Sequence, residues 1–133
     1  MNVAIIGTGY VGLVTGTCLA DFGHAVICVD SAPARIEALQ LGEIPFYEPG
    51  LSEVVTRNVA AARLRFSSDL PDAVRAASVI FIAVGTPEGL NGQADLSQIA
   101  AVAAEIAAHL DGYRVIVTKS TVPVGTGACC ATI

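Results

Sequence analysis

Val3-Ala4-Ile5-Ile6-Gly7-Thr8-Gly9-Tyr10-Val11-Gly12 decides the fold. An apolar run leads into Gly-x-Gly-x-x-Gly, and a helical pattern follows at once. Val11, Val14, Cys18 and Phe22 recur at helical spacing and predict the buried face, with Gly23 ending the run. A buried strand, a glycine turn and a helix make a phosphate cradle. Gly7 permits the tight turn, Gly9 lets the backbone approach a pyrophosphate, and Gly12 lets the helix pack close to the strand. Tyr10 and Val11 fall in the first turn of that helix, whose free N–H groups and positive dipole end face the anion.

The context around the glycines sharpens the reading. Ala25-Val26-Ile27-Cys28-Val29 is a second apolar run, and it ends in Asp30, 18 residues after Gly12. That is the place of a ribose-binding carboxylate. Its two oxygens can accept from both hydroxyls of an adenosine ribose, and its charge repels a 2′-phosphate, so NAD is favoured over NADP. The competing reading is a helix-packing glycine turn followed by a solvated acid at a strand end.

At 133 residues the chain is read as one domain with a sizeable core. Hydrophobic residues at 53% against 14% charged argue for strands covered on both faces and against disorder. A net charge of −5 leaves no basic footprint for nucleic acid. No apolar run approaches the ~20 residues of a membrane span, and no charged leader precedes the first strand. Cys18, Cys28, Cys129 and Cys130 show neither zinc spacing nor CxxC, so no metal is expected. Cys18 and Cys28 fall inside expected core elements, as small hydrophobes in a reducing cytoplasm.

Strands and helices alternate along the rest of the chain, which implies a parallel sheet with right-handed crossovers. Ser31 is the expected cap of a second helix, with Pro33 in its first turn and Ile36 and Leu39 facing inward. Arg35 either reaches the adenosine ribose or a cofactor phosphate, or is an ordinary solvated helix charge. Residues 43–50, Glu-Ile-Pro-Phe-Tyr-Glu-Pro-Gly, form an ordered loop before a helix over 51–62 with Leu51, Val54, Val55 and Val59 inward. Ser52 is its expected cap, and Glu48 is the polar residue of interest in the loop. A third strand is expected at 63–67, a short helix at 69–76, and the strongest strand at 78–84.

That strand ends in Gly85-Thr86-Pro87. In an open α/β sheet the ligand lies at the carboxyl ends of the strands, beside the point where strand order reverses. Gly85 and Thr86 are therefore expected to face the pyrophosphate or the nicotinamide-side ribose. Asn91-Gly92 signals a turn, Asp95 with Gln98 reads as a capping box, and a helical stripe runs from Leu96 to Leu110. A fifth strand, 113–118, delivers the Lys119 cation and the Thr121 hydroxyl to the same edge, and Pro123 suits the start of another helix.

Four stretches together resemble the UDP-glucose 6-dehydrogenase family, which sits with the GDP-mannose and UDP-N-acetylmannosamine dehydrogenases. They are Gly7-Thr8-Gly9-Tyr10-Val11-Gly12-Leu13, Pro45-Phe46-Tyr47-Glu48-Pro49-Gly50-Leu51, Val84-Gly85-Thr86-Pro87 and Lys119-Ser120-Thr121-Val122-Pro123-Val124-Gly125-Thr126. The wording of the second and fourth is nearest to the UDP-glucose branch. The resemblance implies a Rossmann-like, three-layer αβα domain with strand order 3-2-1-4-5 that binds NAD. It implies oxidation of the C6 hydroxyl of a nucleotide sugar to a carboxylate with two NAD, through a cysteine thiohemiacetal and thioester. Val11 would lie on the cofactor diphosphate, Asp30 and Arg35 on the adenosine ribose, Thr86 at the cofactor's centre, and Thr121 beside the nicotinamide, helping to hold a catalytic water.

The family's nucleophilic cysteine, its lysine and asparagine partners, its dimer-forming helix and its sugar domain have no counterpart in residues 1–133. The expectation is thus a truncated NAD-binding domain that binds NAD and turns nothing over. UDP-glucose binding and a homodimer or higher oligomer would belong to the intact enzyme. Two other readings stand beside it. One is a free-standing NAD-sensing module; the other is a two-domain dehydrogenase of the 3-hydroxyacyl or 6-phosphogluconate type.

Overall fold

The computed structural model describes residues 1–89 and 92–133; Asn91 of the expected Asn91-Gly92 turn lies outside them. In chain order the elements are β1 (Asn2–Ile6), α1 (Tyr10–Asp21), β2 (Ala25–Val29), α2 (Pro33–Gln40), α3 (Leu51–Ala60), β3 (Leu64–Ser67), α4 (Leu70–Ala76), β4 (Val79–Ile82), α5 (Ser97–Ala108), β5 (Val115–Thr118) and α6 (Thr126–Cys130). The strands form one parallel sheet ordered β3-β2-β1-β4-β5. The strand order expected from the sequence is therefore the one found.

The pleat sends alternate residues to opposite faces; β1 and β2 are buried on both, while Val115 and Ile116 of the edge strand β5 stay exposed. Val3 and Ile5 of β1, Val26 and Cys28 of β2, and Leu64 and Phe66 of β3 pack under α1, α2 and α3. Ala4 and Ile6, Ile27 and Val29, and Ile80 and Ile82 pack under α4 and α5. That double burial is why β1, β2 and β4 read as continuous apolar runs rather than alternating ones. No helix among the described residues is long and apolar enough to cross a membrane.

The inward face of α1 differs from the one expected. Val11 and Phe22 are 46% and 79% exposed, and Cys18 is exposed as well. Gly12, Leu13, Gly16, Thr17 and Ala20 are buried instead. Gly12, Gly16 and Ala20, at four-residue spacing, let the helix approach the sheet closely. A Cβ on Gly16 would stand 2.6 Å from Cys28 Sγ and 3.1 Å from Ile5 Cγ1. A face built of small residues carries little hydrophobic signal, so periodicity points one residue away from it.

Local caps also differ from expectation. The residue capping α2 is Ala32, not Ser31, and its amide donates to the Asp30 carboxylate. The residue capping α3 is Gly50 at φ +79°, not Ser52, and buried Asn58 takes the inward place expected of Val59. Asn58 Nδ2 donates to Asp21 Oδ1 at 3.0 Å, and Arg57 grips both oxygens of Asp21 at 2.9 and 2.7 Å, pinning α3 to the end of α1. Asp95 accepts from the Ser97 amide, but its own N–H goes to the Pro87 carbonyl, so Gln98 completes no capping box.

Candidate functional site

The order of the sheet reverses between β1 and β4, and the chain's loops open a crevice at their carboxyl ends. Backbone bonds seat the first turn there: the Gly7 amide donates to the Val29 carbonyl at 2.7 Å, and the Ala83 amide donates to that of Ile6 at 2.8 Å. Gly7 has φ +104°, and a Cβ there would lie 2.7 Å from the Ala83 carbonyl oxygen. A Cβ on Gly12 would collide with the Gly7 carbonyl oxygen. Gly9 is the opposite case: a Cβ on it would meet nothing within 4 Å. Its open side borders two adjoining cavities. No acid occupies the first turn of α1 to compete for the helix N-terminus.

The larger cavity, about 510 Å³, runs from Gly7 and Gly9 past Asp30, Ala32 and Arg35 to Gly85. Asp30 is the anchored anion of this cavity, its side chain 11% exposed. Oδ2 accepts from the Thr8 hydroxyl at 2.7 Å and the Thr8 amide at 2.9 Å; Oδ1 accepts from the Ala32 amide at 3.1 Å. Arg35 Nη1 stands 3.4 Å from Oδ2, so Arg35 lines the cavity while its side chain stays 46% exposed. Burial pushes the Asp30 carboxyl up, but the Thr8 and Ala32 hydrogen bonds with the Arg35 charge outweigh it, and the acid sits below its ordinary range. The expectation that both oxygens are open is corrected: Oδ2 is already engaged by Thr8.

The smaller cavity, about 280 Å³, brings Gly9, Tyr10 and Val11 together with Gly85, Thr86, Lys119 and Thr121. The loops after β4 and β5 are tied to each other. Thr86 Oγ1 donates to the Thr121 carbonyl at 2.9 Å, and Ser120 Oγ donates to that of Val84 at 2.6 Å. On the outer side the Tyr10 hydroxyl donates to Glu48 Oε2 at 2.6 Å, and its ring lies 5.0 Å from that of Phe46. That hydrogen bond and the Glu48 charge hold the Tyr10 phenol above its ordinary range. Glu48 thus latches the 43–50 loop onto the first turn of α1.

Of the residues singled out from the sequence, Gly7, Gly9, Tyr10, Val11, Asp30, Arg35, Gly85, Thr86 and Thr121 line the two cavities, whereas Gly12 is buried behind them against Gly7 and Ala83. Sequence reasoning missed Thr8 and Ser120, whose roles are contacts with other protein groups. It also missed Gln98 and Glu105 of α5, which line the larger cavity. Their spacing of seven residues puts both on one helix face, but only the crossover of α5 shows which face looks into the crevice.

A parallel sheet that reverses order at this crevice, a glycine turn opening α1 and an acid closing β2 define a dinucleotide-binding domain of the Rossmann type. The profile of the UDP-glucose/GDP-mannose dehydrogenase family, NAD binding domain, matches residues 1–133, and the chain belongs to that family. It is 59% identical over 128 residues to a UDP-glucose 6-dehydrogenase of Rhizobium meliloti, a match covering 96% of this chain and 29% of that protein. A GDP-mannose dehydrogenase of Pseudomonas aeruginosa, solved as a ternary complex, has a TM-score of 0.92 at 37% identity, over 96% of this chain and 30% of the other. A UDP-glucose dehydrogenase of Pyrobaculum islandicum gives 0.91 at 36%, over 98% and 32%. The chain spans less than a third of the length of these relatives.

Proposed function

We propose that this chain is the cofactor-holding domain of an enzyme that oxidises UDP-glucose to UDP-glucuronate. The observation that carries the cofactor side is one cavity holding both a fixed Asp30 carboxylate and the open face of Gly9. The first suits an adenosine ribose; the second leaves room for a diphosphate against the N-terminus of α1. The residues fit NAD in this respect: among the described residues the carboxylate keeps a free acceptor position, and no side chain fills the space before Gly9. NAD, when bound, supplies a hydride acceptor.

In this reading Gly7, Gly9, Tyr10, Val11 and Gly12 form the diphosphate cradle. Asp30 and Arg35 hold the adenosine ribose, Gly85 and Thr86 flank the centre of the cofactor, and Thr121 stands on the nicotinamide side. The choice of UDP-glucose rests on the 59% identity to a UDP-glucose 6-dehydrogenase of Rhizobium meliloti. The thiol chemistry lies outside residues 1–133 in this reading. Neither cavity is lined by a cysteine, and burial pushes the Cys28 thiol up to about 12. The chain by itself then binds NAD without turnover, and sugar recognition, homodimerisation or higher assembly belong to a longer protein.

Calorimetric titration with NAD, NADP and UDP-glucose tests this. Saturable binding of NAD alone, weakened by Asp30→Ala with a narrowed preference over NADP, is the expected result. Folded protein that takes no NAD, or that takes UDP-glucose tightly, refutes the assignment.

A further inference from the structure

Thr8 stands between Gly7 and Gly9, at a place where the fingerprint asks for no particular side chain. It is nonetheless fully buried, at 0% exposure. Its hydroxyl and its amide both donate to Asp30 Oδ2, at 2.7 and 2.9 Å, and Arg35 Nη1 approaches the same oxygen at 3.4 Å. A carboxylate offers about four lone-pair positions, two on each oxygen. Oδ2 is therefore filled from within the protein, while among the described residues Oδ1 takes only the Ala32 amide. One acceptor position is left, and it is on Oδ1.

Resting on the ribose role proposed for Asp30, we infer that Thr8 is a positioning residue for cofactor binding, locking Asp30 so that Oδ1 alone accepts from an adenosine-ribose hydroxyl. The hydroxyl acts on both the orientation and the charge of the acid. Around that charge, Arg35 on α2 attracts it, and Glu105 on α5 lines the same cavity with like sign. The Thr8 donors hold the anion in place between these two.

Thr8→Val keeps the buried shape and removes only the hydroxyl donor. NAD affinity is measured by calorimetry on the chain with Thr8→Val, with Asp30→Ala, and with both. Thr8→Val is expected to raise the NAD Kd about tenfold, the scale of one hydrogen bond to a charged group. Thr8→Ser is expected to restore it, and Thr8→Val is expected to add nothing once Asp30 is alanine. An equal loss in both backgrounds marks a merely structural Thr8 and overturns the inference. A second readout needs no ligand: the Asp30 carboxyl, followed by carbon NMR, should titrate at higher pH in Thr8→Val and return in Thr8→Ser. An unmoved titration overturns the clamp. If Asp30→Ala alone leaves NAD affinity unchanged, the ribose role of Asp30 fails and the inference falls with it, even where the carboxyl titration moves.

Discussion

Gly9 and Gly12 sit three residues apart in one motif, yet substituting them should have separable consequences. At Gly12 an added Cβ strikes the Gly7 carbonyl oxygen and lies 3.0 Å from the Gly7 carbonyl carbon and 3.3 Å from Ala83 Cβ. The main obstacle is backbone and cannot rotate aside, so α1 must lift from the sheet. Overpacking of this kind costs about 3 kcal/mol, the upper end of its usual range. For a domain of this size that lowers Tm by about 10 °C. At Gly9 the backbone is extended, with φ −69° and ψ −174°, and the Cβ meets nothing within 4 Å. Gly9→Ala gains about 0.4–1 kcal/mol from a stiffer unfolded chain and loses about 0.5–1 kcal/mol because alanine is a poor helix cap. The two nearly cancel, so its Tm should stay within about 2 °C of the parent.

Binding should rank the two glycines the other way. The Gly9→Ala methyl projects into the space beside the N–H groups of α1, where the diphosphate is proposed to lie. A tenfold or greater loss of NAD affinity is expected, about 1.4 kcal/mol or more. Circular-dichroism melts read the first quantity and calorimetric titration the second. Gly9→Ala protein that melts normally and binds NAD with unchanged affinity would refute the cradle. A normal melt for Gly12→Ala would refute the packing argument.

Other consequences follow from groups outside the cradle. Hydrogen bonds from Arg57 and then Asn58 hold the Asp21 carboxyl at about 2, against an ordinary 3.8. A depressed folded-state value stabilises above the ordinary one and is lost as pH falls toward the folded one. The drop in urea midpoint between about pH 4 and pH 2 should accordingly shrink in Asp21→Asn. Tyr10→Phe removes the donor to Glu48 but keeps the ring on Phe46; amide exchange over residues 44–48 should quicken while global stability changes by less than about 1 kcal/mol. An exchange pattern identical to the parent's would show that the latch does not hold the loop. In native protein at pH 8, iodoacetamide should label Cys18 and Cys129 and spare Cys28, whose thiol is fully buried. Rapid labelling of Cys28 before unfolding would contradict its place under α1.

The order of the sheet was legible because burial on both faces writes long apolar runs at β1, β2 and β4, and turn residues punctuate them. The inward face of α1 was not, because Gly12, Gly16 and Ala20 pack by being small. A hydrophobic period marks the residues that fill space, and here close approach matters more than filling. Caps failed for a related reason. Ser31 and Ser52 have the right side chains, but Asp30 already serves the Ala32 amide, and Gly50 at φ +79° turns the chain before Ser52. Of the site, the residues at strand ends and in the glycine turn were readable from spacing. Thr8, Ser120, Gln98 and Glu105 were not, since their roles depend on partners 22 or more residues away or on the placement of α5.

The hydrogen bonds at the rim also limit what its hydroxyls can do. A carbonyl oxygen only accepts, so Thr86 must spend its proton on the Thr121 carbonyl. Tyr10 likewise gives its proton to the Glu48 carboxylate. Towards a ligand, both hydroxyls can then only accept. A phosphate oxygen is itself an acceptor, so neither side chain suits it while these bonds stand; a ribose hydroxyl, which can donate, suits Thr86 well. In the proposed pose a diphosphate takes its donors from backbone amides at the start of α1, where Gly9 keeps the approach clear, with the Lys119 ammonium on the same cavity. The two adjoining cavities thus offer main-chain donors beside Gly9, with an acceptor on each far side: Asp30 Oδ1 next to the Arg35 cation, and Thr86 Oγ1 next to the Lys119 cation. A dinucleotide presents the complementary order, with a diphosphate that accepts lying between two riboses that donate.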